Sequence, residues 1–413
     1  MEEARQPSAV SGPEQELPMQ TIHIISGVRT AVGDFGGALK GFMPSDLGQL
    51  VAAEAISRAG VAPGDIGHVV IGQVMQTSAR DNMLARVIAL KAGIPAAVPA
   101  MTLNRLCGSG VQAIISAAQM MQLGEASITL AGGAESMSNV PYHDHGVRWG
   151  RKMGANVQED ALTLGLSDAI GDYHMGITAE NVAERHGISR EDMDAVALTS
   201  HARAARAIAE GRFKEQILPI EIKTRKGVTI FDTDEHVRAD TSAETLAAMR
   251  PAFKKDGTVT AANASGINDG AAAVVLATGD EVAARGLTSL ARIVAWGHAG
   301  VEPEYMGEGP IRAVPVALAR AGLALADIAV IESNEAFAAQ AAAVAKVLGF
   351  DPEKVNPNGS GVAIGHPVGA TGCMLTIKCA YELKRIGARY GLVTMCIGGG
   401  QGIALIIENE AAK

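Results

Sequence analysis

The chain has 413 residues, 48% of them hydrophobic and only 3% aromatic, with 48 glycines. That length exceeds one small domain and suits two or three, with cores of closely packed Ala, Val, Ile and Leu. A net charge of −9 argues against general nucleic-acid binding, and no apolar run reaches the ~18 residues of a membrane span.

Residues 1–20 carry Glu2, Glu3, Glu14 and Glu16 with prolines and no apolar stretch. They read as a disordered tail, neither a secretory signal nor an Arg-rich transit peptide. The four cysteines, Cys107, Cys373, Cys379 and Cys396, read as reduced thiols, so a cytoplasmic enzyme is expected.

Next comes a segment that recurs later. Ala55–Ile66 matches Ala317–Ile328 without a gap. In both, a helix ends at a glycine, Gly60 or Gly322, and a β-like run follows, His68–Ile71 or Ala329–Ile331. A helical stretch and a Gly-rich loop come after each. The first loop, Asn104-Arg105-Leu106-Cys107-Gly108-Ser109-Gly110, opens a helix over Ser109–Leu123 with Val111, Ile114, Ile115, Ala118 and Met121 on its apolar stripe. The second, Gly365-His366-Pro367-Val368-Gly369-Ala370-Thr371-Gly372, holds a histidine in the equivalent place. Each half then enters an apolar strand, Ile128–Ala131 or Leu392–Met395.

In the second half the chain turns at once into Ile403–Ile407. In the first, the matching strand, Ala271–Ala277, comes only after Asn268-Asp269-Gly270. Residues from about Asn139 to Asn263 therefore read as an insertion with one clear helix, Ala179–His186. Between Arg203 and Lys255 there are eleven Lys/Arg against eight Asp/Glu, the best local reception for an anionic ligand. We expect a tail (1–20), an N-terminal half (21–139 and 264–286), an inserted loop domain (140–263) and a C-terminal half (287–413). Strands alternating with helices predict stacked α/β layers.

Cys107 before a helix N-terminus would have its thiolate favoured by the helix dipole. Taken alone, each candidate also has a structural reading. Cys107 could be a small core residue, His366 a hydrogen-bonded structural histidine, and Asn334 the N-cap of a helix over Glu335–Leu348. Cys396 could be a strand terminus. His143 and His145 lack a third ligand at metal-site spacing, so no metal is expected.

Together, the Cys107 and His366 loops, Asn334-Glu335-Ala336-Phe337-Ala338 and Met395-Cys396-Ile397-Gly398-Gly399-Gly400 closely resemble the thiolase family, from about Ile22 to Glu408. The likeness is to its acetyl-CoA acetyltransferase and short-chain β-ketothiolase branch. It implies two pseudo-symmetric βαβαβαββ halves in a five-layered core with an inserted loop domain. It implies Cys107 as the acylated nucleophile, His366 as its base and Cys396 as the residue that takes an α-proton. Asn334 would hold a water at one oxyanion site, and the amides of Gly398 and Cys107 would form another. Arg238, Ser265, His174 and Met175 would line a coenzyme A site, and Met306 would wall the acyl pocket.

The resemblance further implies acyl-CoA, acetyl-CoA and coenzyme A as substrates, no permanently bound cofactor, and a homotetramer joined through the insertion. A ketoacyl synthase would pair one cysteine with two histidines, or with a histidine and an asparagine, and Cys396 argues against it. A silent acyl-CoA-binding homologue would lack a catalytic residue, and none is missing. Asn356-Pro357-Asn358-Gly359-Ser360-Gly361 resembles β-ketothiolases that accept slightly longer chains.

Overall fold

The computed structural model describes residues 20–225 and 227–412. The expected tail lies, except for Gln20, outside the described residues. The first half runs β1 (Ile22–Arg29), α1 (Pro44–Ala59), β2 (His68–Gly72), β3 (Ala100–Leu103), α2 (Ser109–Gln122) and β4 (Ile128–Ser136). Two longer helices follow, α3 (Met175–His186) and α4 (Arg190–Ala209), before β5 (Asn268–Thr278). The second half runs β6 (Ala291–Gly300), α5 (Gly309–Ala321), β7 (Ile328–Ser333), α6 (Ala338–Leu348), α7 (Val368–Ile386), β8 (Tyr390–Ile397) and β9 (Gln401–Glu408).

The sequence repeat is also a structural repeat, and its matched residues have a local cause. α1 and α5 each end at a glycine in the left-handed region, Gly60 at φ 69° and Gly322 at φ 65°. A short 3-10 turn follows each, closed by its aspartate. Ala62 N–H donates to Asp65 and Ala324 N–H to Asp327, both at 2.8 Å.

The strands join in the order β7-β8-β9-β6-β1-β5-β4-β2-β3. In the first half β2 pairs parallel with β4, β4 antiparallel with β5, and β5 antiparallel with β1. In the second, β7 pairs parallel with β8, β8 antiparallel with β9, and β9 antiparallel with β6. The edges correspond too. β3 lies parallel beside β2, and Val355 makes a single parallel bridge to Ile331 of β7. The half-sheets join where Ile22–Ile24 of β1 pair with Ala291–Ile293 of β6.

Alternating residues of each strand face different layers. Val274 and Leu276 join the central cluster with Ile114 and Ile115 of α2 and Leu375 and Ile377 of α7. Val275 points the other way, to Leu47 and Val51 of α1. On the far side α5 buries Ala313, Val314 and Ala317 against Ile331 and Leu392. The result is the expected five layers: α1, half-sheet, α2 with α7, half-sheet, α5. The central helices approach closely through glycine. A Cβ on Gly110 would lie 2.6 Å from Cys373 N, and one on Gly372 would strike Val111 N.

Two expectations need correction. The intervening segment holds more helix than Ala179–His186: α3 starts at Met175, and the 20-residue α4 was not expected. Much of the buried face of α4 is small or polar (Ala197, Ser200, His201, Ala204, Ala207), which blurs the apolar stripe. Asn334 does not open a helix either. Its N–H donates to Thr394 O at 2.9 Å, and α6 begins only at Ala338. The intervening residues are held out of the helix, because Phe337 bridges to Ala264 and Ser265 N–H donates to Ala336 O.

Candidate active site

Cys107 follows a residue in an unusual conformation. Leu106 has φ 44°, a left-handed value that costs a non-glycine residue roughly 1–3 kcal/mol. Its neighbours hold it there. Leu106 N–H donates to Asn104 Oδ1 at 2.8 Å, and Arg105 N–H donates to Ser109 Oγ at 2.8 Å. Ser109 Oγ in turn donates to Leu106 O at 2.7 Å. Those bonds account for Asn104 and Ser109 in the motif. Gly108 lets the turn press on β8, since a Cβ there would lie 2.5 Å from Ile397 Cδ1.

The expected favouring of the thiolate is opposed by its surroundings. Burial pushes the Cys107 thiol above its ordinary value, and the opposing pull of the Gly398 and Cys107 backbone N–H groups is smaller. Desolvation is the largest influence on this thiol and works against the thiolate. The same contacts place the Gly398 and Cys107 amides at its sulfur.

His366 is buried, and burial lowers its pKa to about 4. It therefore rests as neutral imidazole. Its Nδ1 is 2.6 Å from Thr371 Oγ1, and its Nε2 is 3.4 Å from Asn334 Nδ2. Its backbone N–H donates to Asn268 Oδ1 at 2.9 Å. Gly365, at φ 105°, makes this possible, because a Cβ would strike the Asn268 side chain. Asn334 is fully buried, and its Oδ1 has no protein partner.

Cys107, His366 and Gly398 line one cavity of about 480 Å³, together with His174, Met175, Arg238, Ser265 and Met306. Cys396 and Asn334 stand behind its wall. Cys396 is fully buried within β8, and burial, then the neighbouring Cys107, holds its thiol well above the ordinary range.

At one side of the cavity Arg238, largely exposed, donates to Asp34 at 2.9 Å. Asp34 also meets His236 Nδ1 at 2.5 Å. His174 caps α3, with its Nδ1 accepting from Gly176 N–H at 3.0 Å, and burial lowers its pKa. Its ring stacks on Phe253 at 4.7 Å, and Phe253 meets Phe337 edge-on at 6.0 Å.

Sequence reasoning missed Asp34, Phe253, Asn268, Thr371 and Glu135. Glu135 carried a legible signal, as the one charged residue in the apolar strand β4. Its buried carboxylate accepts from the N–H groups of Val74 and Met75 at 3.0 Å and of Gly369 at 2.8 Å. Burial raises its pKa to about 7 against the pull of those bonds. It thereby ties the first half to the start of α7. Among the described residues no group of three His, Cys, Asp or Glu is arranged to hold a metal ion, and no helix is long and apolar enough to cross a membrane.

Residues 22–280 match the thiolase N-terminal domain, and residues 287–409 match the thiolase C-terminal domain. The chain belongs to the thiolase family. It is similar to beta-ketothiolase BktB of Cupriavidus necator, at 56% identity over 93% of this chain and 98% of that protein. An acetyl-CoA acetyltransferase of Pseudomonas aeruginosa is 48% identical, over 95% of this chain and 100% of its own. Among solved structures, the Bacillus anthracis acetyl-CoA acetyltransferase superposes with a TM-score of 0.93 at 46% identity, covering 94% of this chain and 99% of that one. Human mitochondrial 3-ketoacyl-CoA thiolase in complex with CoA gives 0.92 at 44% identity, covering 95% and 98%. The resemblance read from the motifs thus holds across both halves.

Proposed function

We propose that this thiolase-family protein is an acyl-CoA:acetyl-CoA C-acyltransferase that works by ping-pong transfer through an acyl-Cys107. One observation carries the reading: helices α2 and α7 bring Cys107 and His366 to one cavity, with Cys396 buried beside Cys107. His366 takes the Cys107 proton as sulfur attacks the thioester carbonyl. The Cys107 and Gly398 amides receive the oxyanion, each such donor contributing roughly 3–4 kcal/mol. Coenzyme A leaves with the proton from His366. Acetyl-CoA then enters. Cys396 gives its proton to His366, freed in the first step, and as thiolate removes the α-proton. The carbanion attacks the acyl-cysteine, whose Cys107 sulfur leaves and takes the proton back from His366. The product is a short-chain 3-ketoacyl-CoA, and thiolysis is the reverse. The covalent intermediate divides a difficult condensation into two easier steps.

Asn334 suits a water-holding role, because its buried Oδ1 has no protein partner. Arg238 is the proposed reception for the carrier's phosphates, His174, Met175 and Ser265 for the pantetheine arm, and Met306 for the acyl wall. Residues 140–263, which include His174, Met175 and Arg238, are proposed as the inserted loop domain. Exposed Trp149, Met153 and Ile170 in that segment favour assembly through it, and we propose a cytoplasmic homotetramer. The primary test mixes protein, acetoacetyl-CoA and coenzyme A and follows the enolate absorbance. Its loss, dependent on coenzyme A, is expected; a trace that stays flat with folded protein rejects the activity. Sedimentation equilibrium tests the tetramer, which a monomeric mass rejects.

A further inference from the structure

We propose that Thr371 is a positioning residue for acyl transfer: its hydroxyl keeps the ring proton of His366 on Nδ1 and leaves Nε2 bare as the base. The proposal rests on the reading of His366 as the base for Cys107.

Thr371 lies in the first turn of α7 and is buried. Its Oγ1 is 2.9 Å from Pro367 O, four residues back, and 2.6 Å from His366 Nδ1. A carbonyl oxygen can only accept, so that close approach places the hydroxyl proton on the line to Pro367. A hydroxyl has one proton to give. Toward His366 it can then only accept, and Nδ1 must be the donor. Neutral imidazole carries a single ring proton, so Nε2 has none. The second ring contact agrees, since Nε2 faces the Asn334 amide nitrogen, a donor, at 3.4 Å. His366, Thr371 and Asn334 are all buried, so bulk water cannot easily replace these bonds.

The kind of partner matters as much as its place. A carboxylate on Nδ1 would orient the ring equally well, but it would also stabilise the imidazolium. A neutral hydroxyl orients without holding the charge. The proton that Cys107 gives to Nε2 is therefore easily released to the departing coenzyme A sulfur. Thr371 sets which nitrogen works and leaves the acquired proton mobile.

The test compares Thr371→Val, which keeps the side-chain shape, with Thr371→Ser, which keeps the hydroxyl. Single-turnover acetylation of Cys107 by acetyl-CoA is followed by mass spectrometry. Thr371→Val should slow acetylation about 10- to 100-fold, part of the full value of a positioned base. The Michaelis constant for acetyl-CoA should stay within about twofold, and Thr371→Ser should recover to within about threefold of wild type. Neutron diffraction from deuterated wild-type crystals should show deuterium on Nδ1 and none on Nε2, and this measurement does not depend on any variant folding. Wild-type acetylation by Thr371→Val, or deuterium on Nε2 at rest, would overturn the proposal. His366→Asn separates the two levels. If that variant acetylates at the wild-type rate, the base assignment itself fails. If it is inactive while Thr371→Val is unimpaired, only the role of Thr371 falls.

Discussion

Replacing Gly110 by alanine should separate the central helices and slow the chemistry without unfolding the chain. The added Cβ would lie 2.6 Å from Cys373 N, whereas ordinary contact begins at 3.4 Å, so α2 and α7 must part by about 0.8 Å (3.4 − 2.6). The obstacle is helix backbone, which cannot rotate aside. Two energies compete. Alanine in a helix gains roughly 0.5–1 kcal/mol over glycine. Overpacking a tight interior costs typically ~1–3 kcal/mol. The clash should win by ~1–2 kcal/mol, lowering the melting temperature by a few degrees, on the order of 2–4 °C per kcal/mol at this domain size. The kinetic effect should be larger, because Cys107 and His366 sit at the starts of these two helices. A shift near 1 Å can cost up to ~100-fold in rate. Thermal melting and single-turnover acetylation of Cys107 measure the two effects. Gly124→Ala is the control: it strains a left-handed position, φ 78°, with nothing nearby to strike, so it should lower stability and leave acetylation intact. Wild-type acetylation by Gly110→Ala would refute the claim that this contact sets the distance between nucleophile and base.

Further outcomes follow from the same site. Cys107→Ala should abolish the acetyl adduct while the protein stays folded, and an adduct found instead on Cys373 or Cys379 would overturn the nucleophile. Cys396→Ser should still acetylate Cys107 yet lose most condensation and thiolysis; failure of both half-reactions would show that the two thiols do not divide the work. Because burial raises the Cys107 thiol above its ordinary value near 9, alkylation of that residue by iodoacetamide should keep rising as pH increases from 7 to 9. A plateau already reached at neutral pH would instead indicate a resting thiolate–imidazolium pair. Arg238→Ala should raise the Michaelis constant for coenzyme A by roughly 3- to 10-fold at low salt, with a smaller effect on turnover and a weaker one at high salt. An unchanged constant at low salt would assign the carrier's phosphates to other cations of residues 140–263.

What was legible in the sequence was whatever repeats or has a period. The match of Ala55–Ile66 with Ala317–Ile328 is kept by helix-ending glycines and two turn-closing aspartates, so local chemistry preserved it and made the two halves visible. Cys107 and His366 could be placed together because each stands two residues before the matching helix, Ser109 or Val368. The misses share another cause. The buried face of α4 is small and polar, and its helix depends on neighbours that no local pattern contains. Asn334 looks like a cap, yet Thr394, Ala264 and Ser265, far away in the chain, hold its segment out of the helix. Asp34, Asn268 and Glu135 act on the site only through long-range contacts. Asn268 joins the backbone of His366 to Gly33 O at 3.1 Å and to Asp34, the partner of Arg238.

The resting charges also bear on how the proposed chemistry is shared out. His366 and Cys396 are buried and Cys107 is part-buried, and desolvation shifts all three toward their neutral forms. A resting thiolate–imidazolium pair would require two charges to be removed from water, a desolvation cost of several kcal/mol per ion. The Gly398 and Cys107 amides are therefore not occupied in stabilising a resting anion as strongly as burial disfavours it. They can act most when charge appears on the thioester oxygen, where stabilisation lowers the barrier instead of the ground state. The same desolvation bears on both directions. As a thiol, Cys396 is an acid that can protonate the carbanion released when a 3-ketoacyl-CoA is cleaved, so thiolysis finds this residue in the required form. Condensation must first remove that proton. In the proposed scheme cleavage also needs Cys107 deprotonated through His366, so each direction begins with the loss of one thiol proton, from Cys107 or from Cys396, and desolvation opposes both.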